Sequence, residues 1–441
     1  LNSIIRASGK NFTRPTDEEK TEYAANLTQV GASHEALELL ATIDTKNLPK
    51  ADLFMAFAHF SIWNYSDAIP FLERYRTRLE GNPYELLVCE TNLAAAQIAV
   101  GKYAEAEKTL AHLREETRKN NLGLLLLNAL QLSVGLSVYS RNLASAHAYL
   151  NEAEKMLTND NSVFSLLVGK WKSIVALYEG KSGADSQINK ICQRATAMEH
   201  WETVRDCDFF RAIILKDKQL LTHLYYGTPY LSFRQRILNN VDFNYSPPTA
   251  YDWSQGGKGP QKILDLSLVE FSEGEAQLKV GQAVHRVLHV LCSDFYRPAR
   301  IALIFQNVFA GEHYNPNTSP NRIHQLVRKL RRFCEKGCSG FSVIEHKGTY
   351  SLARPNHLAI HIPNDILELN ETGWQQMEFR RRFGTSIFTA AEIGSTLGLS
   401  RSQACAVLAK ARMDGWLEQL GSGKAVHYRL RQPANTLKRA A

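Results

Sequence analysis

Apolar residues recur at helical spacing through the first half of the chain, as at Ala106, Leu110 and Leu113, and each such block predicts an amphipathic helix. The blocks come in pairs. A short motif stands at the junction within each pair: Gly31-Ala-Ser-His-Glu-Ala36, Trp63-Asn-Tyr-Ser-Asp-Ala68, Gly101-Lys-Tyr-Ala-Glu-Ala106 and Arg141-Asn-Leu-Ala-Ser-Ala146. The closing alanines lie 32, 38 and 40 residues apart, which is the period of helix pairs stacking into a solenoid. A small side chain at that point lets neighbouring helices approach closely. Residues 163–178 and 195–215 continue the helical pattern, so residues 1–245 are read as one helical-repeat domain.

Residues 246–261 then break the pattern with Pro247, Pro248, Gly256, Gly257, Gly259 and Pro260, a linker composition. Beyond it, residues 264–271 and 275–280 alternate as strands, and residues 282–295 return to helical spacing with Val284, Val287, Leu288 and Leu291 on one face. Pro298 opens a second helix. Ser319, as cap, and Pro320 open a third. This third helix places Ile323, Val327, Leu330 and Cys334 on one face and Arg322, Gln325, Arg328, Lys329 and Arg332 elsewhere. Residues 341–345 and 349–352 follow as two strands around His346-Lys347-Gly348, a hairpin carrying Lys347 at its tip. The unit spans residues 262–354.

A second linker is read at 355–371 and a second three-helix-plus-hairpin unit at 372–432, before a tail at 433–441. Thr389 and Glu392 form a capping box, and Ser400 caps the next helix. Ile393 and Leu397 should pack against Ala404, Val407, Leu408 and Ala411. Arg401, Ser402, Gln403 and Lys410 then point outward, with Lys424 at the tip of the following Gly-rich hairpin.

The paired blocks resemble tetratricopeptide repeats, where Gly101, Tyr103 and Ala106 take the places of the turn, aromatic and small residues. The unit at 262–354 resembles the OmpR/PhoB winged helix in Ile323-x-x-x-Val327-Arg328-x-Leu330-Arg331, Ile344 and Gly348-x-Tyr350-x-Leu352, although Leu326 stands where that family commonly has a polar, DNA-facing residue. Residues 388–430 look like the winged helices of MarR- and GntR-type regulators. These resemblances imply a mainly α chain, with a helical solenoid followed by two α+β winged helix-turn-helix domains. They also imply double-stranded DNA as a partner, read by Arg322, Gln325, Arg328, Lys329, Arg332 and Lys347 in the first unit and by Arg401, Ser402, Gln403, Lys410 and Lys424 in the second. By repeat register, Asn128 and Gln131 are expected to touch a protein or peptide partner in the groove of the solenoid. Helical repeats ending in a winged helix also resemble the PCI subunits of scaffolding complexes, an alternative in which the winged helix binds protein and no DNA.

Charge separates the two halves. Residues 1–250 hold 27 Lys and Arg against 28 Asp and Glu, whereas residues 251–441 hold 25 against 16, so the net charge of +8 belongs to the second half. A polyanion partner fits that distribution. The seven cysteines are odd in number and scattered, which reads as reduced thiols in a cytoplasmic protein. Cys334 and Cys338 have no second Cys/His pair at zinc-finger distance, so no metal is expected. His357 and His361 read as edge or core histidines rather than ligands. The longest apolar stretch, residues 122–138, is broken by Asn128, Gln131 and Ser133, so no membrane span is expected. The first residue is Leu rather than Met, and a start further upstream is expected. Without a phosphate-binding Gly-rich loop, an H-E-x-x-H or a G-x-S-x-G in context, the chain is expected to be neither an enzyme nor a cofactor protein. It reads as a transcription regulator, with a homodimer among its compatible states.

Overall fold

The computed structural model describes residues 15–79, 81–158, 162–254, 262–271, 278–337, 342–353, 358–367, 371–397, 399–422 and 426–431. Its first twelve helices form antiparallel pairs: α1 (Asp17–Val30) with α2 (Ser33–Leu40), α3 (Lys50–Ser61) with α4 (Tyr65–Arg76), α5 (Pro83–Ala99) with α6 (Tyr103–Lys119), α7 (Gly123–Tyr139) with α8 (Leu143–Met156), α9 (Val163–Tyr178) with α10 (Ala184–Ala197), and α11 (Trp201–Ile214) with α12 (Lys218–Tyr226). The sequence motif has a direct physical reading here. Its first residue takes a left-handed backbone in all four copies: Gly31 (φ 95°), Trp63 (59°), Gly101 (80°) and Arg141 (57°). The next N–H then reaches back across the helix end, as from Lys102 to the Gln97 carbonyl and from Asn142 to that of Ser137, both at 2.8 Å, closing the orphan carbonyls of the last turn. Ala36, Ala68, Ala106 and Ala146 are all fully buried.

The helix read at 195–215 is broken. Glu199 takes φ 56° and the His200 N–H bonds the Ala195 carbonyl at 2.8 Å, the same helix-ending turn built on a non-glycine residue. A thirteenth helix, α13 (Leu231–Asn240), packs back onto the repeats. Phe233 meets the Trp63 ring edge-on at 4.7 Å, the Ser232 hydroxyl donates to the Trp63 carbonyl, and Arg236 bonds the Tyr139 hydroxyl and lies over the Phe209 ring at 4.2 Å. Three pairs thus contribute to the bed of α13.

Both stretches read as linkers carry strands. β1 (Ala250–Trp253) pairs antiparallel with β7 (Leu358–Pro363), which runs parallel to β2 (Lys262–Asp265), and β2 pairs with β3 (Glu270–Phe271). Pro247 and Pro248 precede β1 without interrupting its ladder, while 255–261 lie outside the described residues. The strand expected over 264–271 turns on itself, because the Asp265 carboxylate accepts from the N–H groups of Ser267 (2.8 Å) and Leu268 (3.2 Å) and Val269 goes left-handed at φ 55°.

Next come α14 (Ala283–Leu291), β4 (Ala299–Arg300), α15 (Ile301–Val308), α16 (Ser319–Gly337) and the hairpin β5 (Ser342–His346) with β6 (Thr349–Ala353), in a sheet ordered β4-β6-β5. Ser319 is the first residue of α16 rather than a residue ahead of it, and its hydroxyl accepts from the Asn315 N–H at 2.9 Å. The core of this unit is continuous with that of the first repeats. Ala24, Leu27, Ala36, Leu40 and Ala58 belong to the same buried cluster as Trp253, Leu288, Phe305, Val327, Leu330 and Ile360.

The last unit has a core of its own, built from Phe379, Phe388, Ile393, Ala404, Leu408, Ala411, Trp416, Leu417 and Leu430. It holds α17 (Glu371–Phe383), α18 (Ala390–Leu397), α19 (Arg401–Met413) and the hairpin β8 (Leu417–Leu420) with β9 (His427–Leu430). No helix among the described residues is long and apolar enough to cross a membrane.

Candidate nucleic-acid interface

Helix α16 sorts its side chains sharply. Ile323, Leu326, Val327, Leu330, Phe333 and Cys334 are buried against α14, α15 and β5, so Leu326 faces the core rather than a partner. Gln325, Arg328, Lys329 and Arg332 are exposed on the opposite side, and among the described residues none of the three cations enters an ion pair. The helix is fixed by its polar edges. Arg331 donates to the Val343 carbonyl at 3.2 Å, and His324 bonds the hydroxyl of the buried Tyr350 at 2.7 Å. Arg322 is occupied differently. It pairs with Glu312 (Nη1–Oε2 2.5 Å, Nη2–Oε1 3.1 Å) and lies 3.7 Å from the centre of the Phe309 ring. The Arg322 hydrogen bond holds the Glu312 carboxyl below its ordinary range.

The β5–β6 hairpin turns on Lys347 (φ 48°) and Gly348 (φ 74°), with His346 paired to Thr349. Two positive φ values match the twist of a two-residue hairpin. The exposed Lys347 ammonium sits 2.7 Å from Glu199, in the turn between α10 and α11. The hairpin tip therefore touches the repeat helices.

In the last unit the Thr389–Glu392 box forms, with Glu392 N–H to the Thr389 hydroxyl at 3.2 Å and Thr389 N–H to the Glu392 carboxylate at 2.6 Å. Ser400 caps α19, and Gln403 completes that box by accepting the Ser400 N–H at 2.9 Å. The Gln403 oxygen is thus occupied at home, whereas Arg401, Ser402 and Lys410 are exposed. Lys424 lies outside the described residues, as do Cys338 and His357. His361, on β7, pairs with Asp252 on β1 at 2.7 Å.

Asn128 and Gln131 lie together on α7, but Gln131 is only 8% exposed. Its amide donates to Asn128 at 2.9 Å, and its oxygen accepts from the Trp171 indole at 3.2 Å. This bond joins α7 to α9 and occupies the side chain that the repeat register had assigned to a partner. The part of the repeat surface around Trp63, Tyr139 and Phe209 is covered by α13.

Sequence reasoning missed the junction between the repeats and the unit that carries α16. Arg205 on α11 is fully buried and reaches Asp294, in the loop after α14, through two bonds of 2.9 and 3.0 Å, and the Thr228 hydroxyl at 2.8 Å. Burial works against the charge, yet Asp294 and Glu202 hold the Arg205 guanidinium above its ordinary value. Tyr296 donates to Asp208 at 2.9 Å, and Phe295 stacks on Trp253 with ring centres 4.1 Å apart. A second unforeseen cluster lies beneath α17, where Trp374 meets His285 and His289 edge-on. The His285 Nδ1 accepts the Gly281 N–H at 2.8 Å and its Nε2 faces the Leu266 carbonyl at 3.0 Å. Burial pushes this imidazole down to about 3 and His289 down to about 4.

The fold therefore defines a mainly helical protein of stacked helix pairs with small sheets in its second half. No family model matches the chain, and no curated protein matches it. Among solved structures it is similar to a Rap protein complexed with competence and sporulation factor, at 13% identity and a TM-score of 0.42, covering 54% of this chain and 70% of that one.

Proposed function

We propose that the chain is a DNA-binding transcription regulator whose units at 262–354 and 372–432 are winged helix-turn-helix domains and whose repeats receive a protein or peptide partner. The observation that carries this reading is the outward face of α16, where Gln325, Arg328, Lys329 and Arg332 stand exposed on a helix whose other face is packed. An amphipathic helix of this width enters the major groove, where arginine reaches guanine edges or phosphates and glutamine pairs with adenine. The second contact surface is the start of α19, with Arg401 and Ser402. The reading requires no catalytic group or cofactor.

A gel-shift titration of the full chain on duplex DNA across salt tests it. The full chain is the appropriate sample, because a fragment beginning near Lys262 would expose apolar surface now buried against α1–α3. Affinity should fall with salt at a log–log slope of about −0.9 per phosphate neutralised, and Arg328→Ala/Arg332→Ala should make that slope less negative by about 2 units if both arginines meet phosphates. Leu330→Ala is the contrasting control, expected to lower stability by about 2–5 kcal/mol through a cavity. A flat salt response, or arginine variants that bind as the parent does, would count against DNA and for a scaffold of the PCI kind.

A further inference from the structure

The contact between hairpin and repeats encloses a cleft of about 880 Å³, lined by the α10–α11 turn and the start of α11 on one side and by residues 297–302 and the β5–β6 turn on the other. That volume is in the range of small-molecule sites, about 300–1,000 Å³. Two arginines, Arg297 and Arg300, line it together. Arg300 donates to the Gln29 carbonyl, and among the described residues neither guanidinium enters an ion pair. Burial, and then the like charge of Arg297, hold the Arg300 guanidinium below its ordinary value.

The two carboxylates nearby act on these arginines, Glu202 on Arg297 and Glu199 on Arg300, but each has its direct contacts with other groups. Glu199 holds Lys347, and Glu202 accepts from the Trp63 indole at 3.1 Å and lies 3.3 Å from Arg205, with burial raising its carboxyl above the ordinary value. The cleft thus keeps a cationic surplus. It also has an aromatic wall, because the half-buried Trp201 lines it.

We propose that this cleft binds a nucleoside phosphate, with Arg297 and Arg300 on the phosphate and the Trp201 ring against the base. The planar guanidinium fork matches phosphate oxygens in pairs, and an indole face accepts a heteroaromatic ring by stacking. The occupant would sit between the α10–α11 turn and the hairpin that the Lys347–Glu199 pair now joins. This inference stands independently of the DNA reading.

Calorimetric titration of the full chain with AMP, inorganic phosphate and adenosine tests it. AMP should bind more tightly than either part alone. Arg297→Ala should weaken AMP about tenfold to a hundredfold, the range for losing hydrogen bonds to a charged group, and Arg297→Lys should restore part of the loss. Trp201→Ala should weaken AMP but leave phosphate unchanged, and Arg328→Ala/Arg332→Ala should leave AMP unchanged. AMP bound no more tightly than phosphate would overturn the proposal. So would Arg297 variants that fold and bind AMP as the parent does, or a loss that follows the α16 arginines instead.

Discussion

Asp294→Ala measures how firmly the loop after α14 is held to the repeat helices. The Asp294 carboxylate, 9% exposed, meets a guanidinium with no exposure at all, and it also accepts the N–H groups of Tyr296 (2.9 Å) and Arg297 (3.0 Å). Truncation leaves Arg205 buried with the Thr228 hydroxyl and Glu202 as its remaining partners. Removing one side of a buried pair costs about 3–5 kcal/mol, whereas exchanging both charges for apolar groups is often neutral. The two backbone N–H groups belong to half-buried residues, so the expected loss stays at about 3–5 kcal/mol. Arg205→Met should cost a similar amount by leaving the Asp294 charge without its cation, and the double variant should cost no more than either single change. The cycle should therefore return a coupling of at least about 3 kcal/mol, the smaller of the two single losses. Urea unfolding of the full chain, read on the first transition by circular dichroism and tryptophan fluorescence, supplies the numbers. Losses that add within about 0.5 kcal/mol would show that the two side chains do not act as a pair.

Two further outcomes follow from the same junction and its neighbour. His285 is fully buried and its folded-state value is depressed to about 3, so the unfolded chain gains a proton that the folded chain refuses as pH falls below about 6.5; stability should drop by about 2 kcal/mol between pH 7 and pH 5 from this residue alone, and His285→Gln should flatten that part of the stability profile. At Gly227 an added Cβ would lie 2.3 Å from Cδ2 of Phe295 and 2.8 Å from the His223 carbonyl oxygen, so Gly227→Ala should cost about 1–3 kcal/mol by overpacking; an unchanged urea midpoint would mean that the Phe295 ring gives way freely.

What the sequence revealed follows from the range of each interaction. The repeat motif is local: one left-handed residue, one back-reaching N–H and one buried alanine within six positions, so its signature survives even where Trp63 or Arg141 replaces glycine. The hairpin at Lys347-Gly348 and the two capping boxes are equally local. The packed face of α16 was legible because burial imposes a helical period. The clamp was not, since Arg205 and Asp294 are 89 residues apart and a buried polar pair leaves no periodicity. Gln131 misled for the same reason: a glutamine in mid-helix looks solvated until Trp171, forty positions later, arrives to take its oxygen. The linkers were read from proline and glycine content, which marks where helices stop but not whether a short strand such as β1 finds an edge to pair with.

Among the described residues, these contacts divide the second half of the chain into a part pinned to the repeats and a part with its own core that α17 joins to it. The unit carrying α16 shares its core with α1–α3 and is pinned through Arg205–Asp294, so reorienting it would expose apolar surface and a buried cation. The unit carrying α19 has a separate core, which it joins to the first through α17. On that helix Trp374 belongs to the first core and Phe379 to the second. Five residues of α-helix place these two side chains about 140° apart, so one helix is gripped on different sides by two cores. The disposition of the proposed DNA face on α19 relative to that on α16 is accordingly set through α17, whose Trp374 rests on His285 and His289. The proposed partner of the repeats would have two physical routes to the proposed DNA faces. It can shift the exposed Lys347–Glu199 contact at the hairpin, or it can move α14 and thereby the bed of Trp374. The second route requires the buried clamp to move with it, and for that reason the first is the softer point of the molecule.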